Sequence, residues 1–158
     1  MAGRITKAEE QLKPDPRFNN KTLARFINCI MRDGKKSVAQ RIVYEALELI
    51  EERTKGAPTA LEIFEKAIDN VKPHVEVRSK RVGGANYQVP MQVNRRRQQS
   101  LAFRWLITSA RDEKGKPMAK RLARELFDAA NGEGKAMSIR DQTHRMADAN
   151  KAFAHFAW

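Results

Sequence analysis

Apolar residues recur at helical spacing through the first part of the chain, switch to every second position over residues 74–93, and then return to helical spacing. Leu23, Phe26, Ile27 and Ile30 form one stripe from about Asn20, and Asp33-Gly34 supplies a stop, since glycine accepts the left-handed geometry of a helix end. A second helix is expected from Lys35 to Arg53. It would bury Val38, Ile42, Val43, Ala46, Leu49 and Ile50 and expose Glu45, Glu48, Glu51 and Glu52. A third opens at Pro58, where the missing N–H costs nothing, repeats Leu61, Phe64, Ile68 and Val71, and stops before Pro73.

The alternating stretch reads as a hairpin. Val75 and Val77 alternate with His74, Glu76 and Arg78, while Tyr87, Val89, Met91 and Val93 alternate with Gln88, Pro90 and Gln92; Gly83-Gly84 lies between them. Pro90 cannot donate to an interior ladder, and no other strand pattern is present, so the pair should stand as a two-stranded arm reaching ~20 Å. Such a ribbon is marginal alone and should lean on the helices or on a ligand.

A fourth helix follows from the N-cap Asn94 to Ala110, with Leu101, Ala102, Phe103, Trp105, Leu106 and Ile107 covering most of its circumference, which places it centrally. Its remaining strip is Arg97, Arg104 and Arg111. A fifth opens at Pro117, turns Met118, Leu122, Leu126 and Ala129 inward, and is followed by Gly132; a sixth starts near Ser138, with Asp141 three residues on. The expected fold is mainly α: a six-helix bundle with a protruding two-stranded β-ribbon between helices three and four. Residues 1–18 read as an extended tail, 19–150 as one helical domain carrying the ribbon 74–93, and 151–158 as an aromatic tail.

Charge changes the picture. Of the net +12, residues 72–104 contribute +7, through Lys72, Arg78, Lys80, Arg81, Arg95, Arg96, Arg97 and Arg104 against one acid, Glu76. Clustered cations of this kind release counterions from phosphates, so the segment reads as a footprint for nucleic acid. No apolar run approaches the ~18 residues of a membrane span, there is no signal-peptide core, and the single Cys29 excludes an internal disulfide; a cytoplasmic protein with no membrane partner is expected.

Arg95-Arg96-Arg97 is the sharpest motif. In a helix first turn these cations face partial positive charge and unpaired N–H groups, a conflict that a phosphate at the helix start resolves. The competing reading is a solvated basic turn. Arg78, Lys80 and Arg81 point toward a ribbon tip whose glycines allow close backbone approach, or else are ordinary edge charges. Lys35-Lys36 repeats the anomaly at the second helix start. Catalysis and metal binding find no support: His74, His144 and His155 lack ligand spacing, Cys29 falls in an apolar helical pattern expected to bury it, and no phosphate-cradling glycine motif or cofactor signature is present. Phe153, Phe156 and Trp158 either fold back as a staple or contact a partner.

Residues 26–39 (FINCIMRDGKKSVA), 75–93 (VEVRSKRVGGANYQVPMQV), 104–111 (RWLITSAR) and 144–158 (HRMADANKAFAHFAW) closely resemble bacterial small-subunit ribosomal protein seven, in order and with matching intervals over roughly residues 14–158. The resemblance implies the same six-helix fold with a ribbon, and a primary binder of small-subunit ribosomal RNA that nucleates assembly of the subunit head. It further implies a monomer within the ribosome, near exit-site tRNA and the mRNA exit channel, with small-subunit proteins nine and eleven as neighbours. By motif, Lys35, Lys36, Arg78, Lys80, Arg81 and Arg95–Arg97 would contact RNA, and Lys72, Arg104 and Arg111 extend that footprint. Arg81, Gly83, Gly84 and Asn86 would face exit-site tRNA, while Arg145, Asn150 and Lys151 fall in the matching C-terminal motif. The family often begins with a dense basic tail. This chain reads MAGRITKAEEQLK instead, leaving Arg4 and Lys7 as the candidates there.

The expected mechanism is binding without catalysis, with a rigid body fixing several phosphate sites and recognising RNA by shape and junction geometry. A DNA-architectural protein is the alternative, but such arms carry an apolar or proline wedge at the tip, and here the tip is Gly83-Gly84.

Overall fold

The computed structural model describes residues 11–157. Its elements are α1 (Lys21–Ile30), α2 (Lys36–Thr54), α3 (Ala60–Val71), β1 (Val75–Val82), β2 (Ala85–Gln92), α4 (Arg95–Asp112), α5 (Met118–Ala130), α6 (Lys135–Ala149) and a 3-10 helix (Lys151–Phe156). The mainly helical bundle with its ribbon between α3 and α4 is as the periodicity indicated. No helix among the described residues is long and apolar enough to cross a membrane.

Phe26 of α1 sits at the centre, with its ring 5.2 Å from both Phe64 of α3 and Phe103 of α4 in edge-on geometry. Two helices share the middle of the bundle. α4 packs on α1, α3, α5 and α6, and α5 packs on α2, α3, α4 and α6. Leu106, Leu122 and Leu126 from these two helices are fully buried.

Helix ends follow local chemistry, and several differ from the sequence expectation. α1 stops at Ile30 because Met31 turns extended, and Asp33 and Gly34, with φ of 52° and 70°, carry the chain into α2. α3 begins after Thr59 rather than at Pro58: the Thr59 hydroxyl accepts the Glu62 N–H while the Glu62 carboxylate takes the Thr59 N–H. α6 begins at Lys135, three residues before Ser138, whose hydroxyl instead bonds back to the Gly134 carbonyl. Its cap comes from another helix. The Ala136 N–H donates to Oε1 of Glu125 on α5 at 2.7 Å.

Two side chains are corrected. Val38 is 44% exposed, and the buried contacts of α2 include Ala39 and Leu47 instead. Cys29 is exposed rather than buried. Of the expected tail, residues 1–10 lie outside the described residues, but Asp15 is buried and accepts the Tyr44 hydroxyl at 2.6 Å along with the Arg17 and Phe18 amides. Burial of its oxygen, and then that bond and the Asp15 charge, raise the Tyr44 hydroxyl to a pKa of about 12.

The ribbon pairs Val75 with Gln92 through Val82 with Ala85, closed by Gly83-Gly84 at φ of 57° and 89°. Two successive positive φ values are the geometry of a tight hairpin turn and favour glycine. This register sets the two strands' apolar alternations out of phase. Tyr87, Val89 and Met91 share a face with Lys80, Arg78 and Glu76, while Val77 pairs with Pro90. The mixed face leans on the body: α6 packs on both strands and the 3-10 helix packs on β2. Consequently Glu76 is buried.

Candidate nucleic-acid interface

Glu76 organises the basic segment. Its Oε1 accepts Arg78 Nε at 2.7 Å and its Oε2 accepts Arg97 Nε at 3.1 Å, so one buried carboxylate ties β1 to the first turn of α4. Asn94 caps that turn, its carboxamide oxygen accepting the Arg97 N–H at 2.9 Å. Arg95 and Arg96 stand exposed beside it, at a helix start with no acid in its first turn. The triplet is therefore divided: Arg97 braces the ribbon, while Arg95 and Arg96 face solvent where backbone dipoles also favour an anion.

Lys80 of the ribbon is likewise committed, its Nζ donating to the Phe156 carbonyl at 2.8 Å. Arg81, one residue on, lies on the opposite face and is exposed, as are Gly83, Gly84 and Asn86 at the tip. Lys72 is half-buried and pairs with Asp69 at 2.6 Å.

A second basic group lies where α1, α2, α4 and α5 meet. Residues 32–38 are all exposed, and Lys35 occupies the N-cap of α2 without a side-chain cap bond. Beside it a groove of about 410 Å³ has an apolar floor including Ile30, Val38 and Met118 and is rimmed by Arg32, Lys35, Arg111 and Arg121. Two of these arginines hold helix ends: Arg111 donates to the Ile30 carbonyl at 3.0 Å, and Arg121 to the Arg111 and Glu113 carbonyls. Burial and the nearby Arg32 charge lower the Arg111 pKa. Arg104 is exposed on the adjacent strip of α4, next to Cys29 and Ser100.

The sequence stripes did not point to Arg32 or Arg121. Arg32 was visible as a third cation in the Lys35-Lys36 loop. Arg121 had no local signal, because its role depends on the end of a different helix.

At the C-terminal side, Arg145 and Lys151 are exposed, and Asn150 ends α6 by donating to the Met146 carbonyl at 2.8 Å. The 3-10 helix folds back as a staple: Phe153 and Phe156 lie 5.2 and 5.0 Å from the Tyr87 ring of β2. Trp158 lies outside the described residues. At the ribbon base the His74 N–H donates to His144 Nε2 at 3.2 Å, and the two imidazoles stack. Among the described residues no cluster of three or more His, Cys, Asp or Glu could hold a metal ion.

The chain is similar to known proteins along nearly its whole length. The family described as ribosomal protein S7p/S5e matches residues 2–151. The small ribosomal subunit protein uS7 of Rhodopirellula baltica is 60% identical over 156 residues, covering 99% of both chains. That of Magnetococcus marinus is 52% identical over the full length of both chains, and that of Acidithiobacillus ferrooxidans 57% identical over 92% of each. A basic helical body with an arginine-lined ribbon, matched along nearly its whole length, thus belongs to the ribosomal protein S7p/S5e family, the structural, non-catalytic, RNA-binding proteins of the small ribosomal subunit.

Proposed function

We propose that this chain is a primary binder of small-subunit ribosomal RNA that nucleates assembly of the subunit head, acting in the cytoplasm as a monomer within the ribosome. The observation that carries this reading is the division of the Arg95–Arg97 run. One arginine bonds to Glu76 and holds the ribbon against α4, and the other two are exposed at the same helix start. Phosphates bound there and at the Lys35-Lys36 loop would lie on two different elements of one rigid body. Simultaneous engagement would then fix the relative geometry of separate RNA helices, which is what nucleation requires.

Within this reading Arg95, Arg96, Arg81, Lys35, Lys36 and Arg104 take phosphates directly. Lys72, Arg78, Arg97 and Arg111 contribute through the guanidinium or ammonium hydrogens left over from their protein partners. Lys80 chiefly holds the C-terminal segment to the ribbon. The tip residues Gly83, Gly84 and Asn86, with Arg145, Asn150 and Lys151, lie toward exit-site tRNA and the mRNA exit channel, and small-subunit proteins nine and eleven are the neighbours.

The test is binding to a head-domain fragment of the small-subunit RNA across a salt series, with duplex DNA of equal length as competitor. Tight binding that survives excess DNA, and that falls when Arg95 and Arg96 are changed to alanine, supports the reading. Equal displacement by DNA reduces the protein to a generic polyanion binder.

A further inference from the structure

One recess in this cationic protein has the opposite character. Where the C-terminus of α4 meets α5 and the start of α6, a cavity of about 290 Å³ is lined by Ser109, Asp112, Glu113, Glu125, Asp128 and Lys135, among others. The last carbonyls of α4 add partial negative charge at the same place. Two cations are present and both are already occupied: Arg124 reaches Glu113 at 3.1 Å and Asp128 at 3.6 Å, and Lys135 reaches Asp112 at 2.6 Å. Glu125 is spent on the start of α6, and burial raises its pKa, so Asp112, Glu113 and Asp128 against Arg124 and Lys135 leave one carboxylate in excess.

The second observation is Ser109. It is 3% exposed and its hydroxyl has no hydrogen-bond partner, although it lines this recess. A buried hydroxyl without a partner is uncommon, because its desolvation goes uncompensated. The oxygen is itself covered, and it can accept an N–H once the recess wall shifts around an entering group.

We propose that this recess docks a long cationic side chain, arginine or lysine, from a basic polypeptide segment of a partner protein. Phosphate is excluded by the carboxylates, so the surface is separate from the RNA footprint and does not depend on that reading. The volume lies at or below the small end of the ~300–1,000 Å³ that ligand pockets usually occupy, which suits one side chain better than a whole small molecule. A guanidinium or ammonium there would meet the Ser109 oxygen and carboxylate oxygens of Asp112 and Asp128, and charge-assisted bonds of that type are the strong ones. No group of metal-ligating geometry is present among the described residues, which argues for a hydrogen-bonding cation over a metal ion.

The experiment is titration of the ¹⁵N-labelled full chain with a peptide of alternating glycine and arginine at fixed ionic strength, followed by amide shifts. The expected result is saturable shifts centred on Ser109 and Gly134. Asp112→Asn/Asp128→Asn should weaken binding about tenfold. Ser109→Ala should also weaken it while leaving the melting temperature of the free protein unchanged or higher, since it deletes an unpartnered hydroxyl. Glu45→Gln/Glu52→Gln, on the exposed acidic face of α2, serves as the control. Equal weakening by that control, or shifts spread over α2, would overturn the proposal in favour of generic attraction. The same Ser109 and Gly134 shifts produced by millimolar magnesium alone would overturn it in favour of an ion site.

Discussion

Arg97 Nε lies 3.1 Å from Glu76 Oε2, joining the start of a helix to the strand that pairs with its predecessor across the ribbon. Glu76 is the sole acid between residues 72 and 104, and it is 8% exposed. A lone buried carboxylate between two guanidiniums links the ribbon to the bundle, beside the exposed Arg95 and Arg96.

Glu76→Gln should therefore destabilise the protein by about 1–2 kcal/mol. That is less than the loss of a fully buried pair, because the Arg78 and Arg97 side chains keep 46% and 35% exposure. Urea unfolding measures it, and an unchanged midpoint would mean the ribbon is held by α6 and the 3-10 helix alone.

Arg95→Ala/Arg96→Ala and Arg97→Ala should separate binding from folding. The double variant is expected to melt closer to the parent than Arg97→Ala does and to lose roughly 0.7–0.9 of salt slope per phosphate released. Arg97→Ala should lower both stability and affinity. Identical behaviour of the two variants would contradict the division of labour around Glu76.

Gly134→Ala tests the cross-helix cap. Gly134 has a φ of 95°, and an added Cβ would lie 3.2 Å from Glu125 Oε1 and 3.3 Å from Asp128 Cβ. Strain and displacement of the cap together should cost about 1–3 kcal/mol. Thermal unfolding of Gly134→Ala beside Glu125→Ala provides the check: if the cap is what fails, the two losses are far from additive in the double variant.

His144 gives stability a pH dependence of definite sign. Burial first, then the charges of Arg140 and His74, lower its pKa below the usual 6.5, against the opposing pull of Asp141 and Asp148. The unfolded chain then takes up the proton before the folded one. The contribution is intact above 6.5 and is lost as pH falls through the window between 6.5 and the lower folded value. Protonation also removes the Nε2 lone pair that accepts the His74 N–H. Melting temperatures between about pH 5 and 8 should fall toward acid in the parent and fall less in His144→Gln.

Phe156→Ala should free the ribbon from its brace. Losing the Tyr87 contact and loosening the carbonyl held by Lys80 leaves a two-stranded element with less support. Amide exchange is expected to quicken across residues 75–92 while α4 and α5 keep their protection. Equal protection in both proteins would show that α6 suffices.

Much of this architecture is legible in short-range pattern. The stripes of Leu23–Ile30 and Met118–Ala129, the N-cap Asn94 and the paired glycines of the turn all act within a few residues of themselves, so periodicity and turn chemistry find them. The charge concentrated between 72 and 104 marks the candidate interface for the same reason: clustering along the chain becomes clustering in space when a hairpin and the adjoining helix start carry it.

Other features depend on residues far apart in the chain. The helix that Glu125 caps, the carbonyls that Arg111 and Arg121 cover, and the strand register that turns Glu76 inward are each set by a neighbour the local pattern does not contain. Val38 and Cys29 show the same limit from the apolar side, since both occupy helical positions that pack only if another element lies over them. Backbone periodicity says which face of a helix is apolar; whether that face is covered, and which cations are consumed in holding helices together, depends on contacts that form when the whole bundle closes.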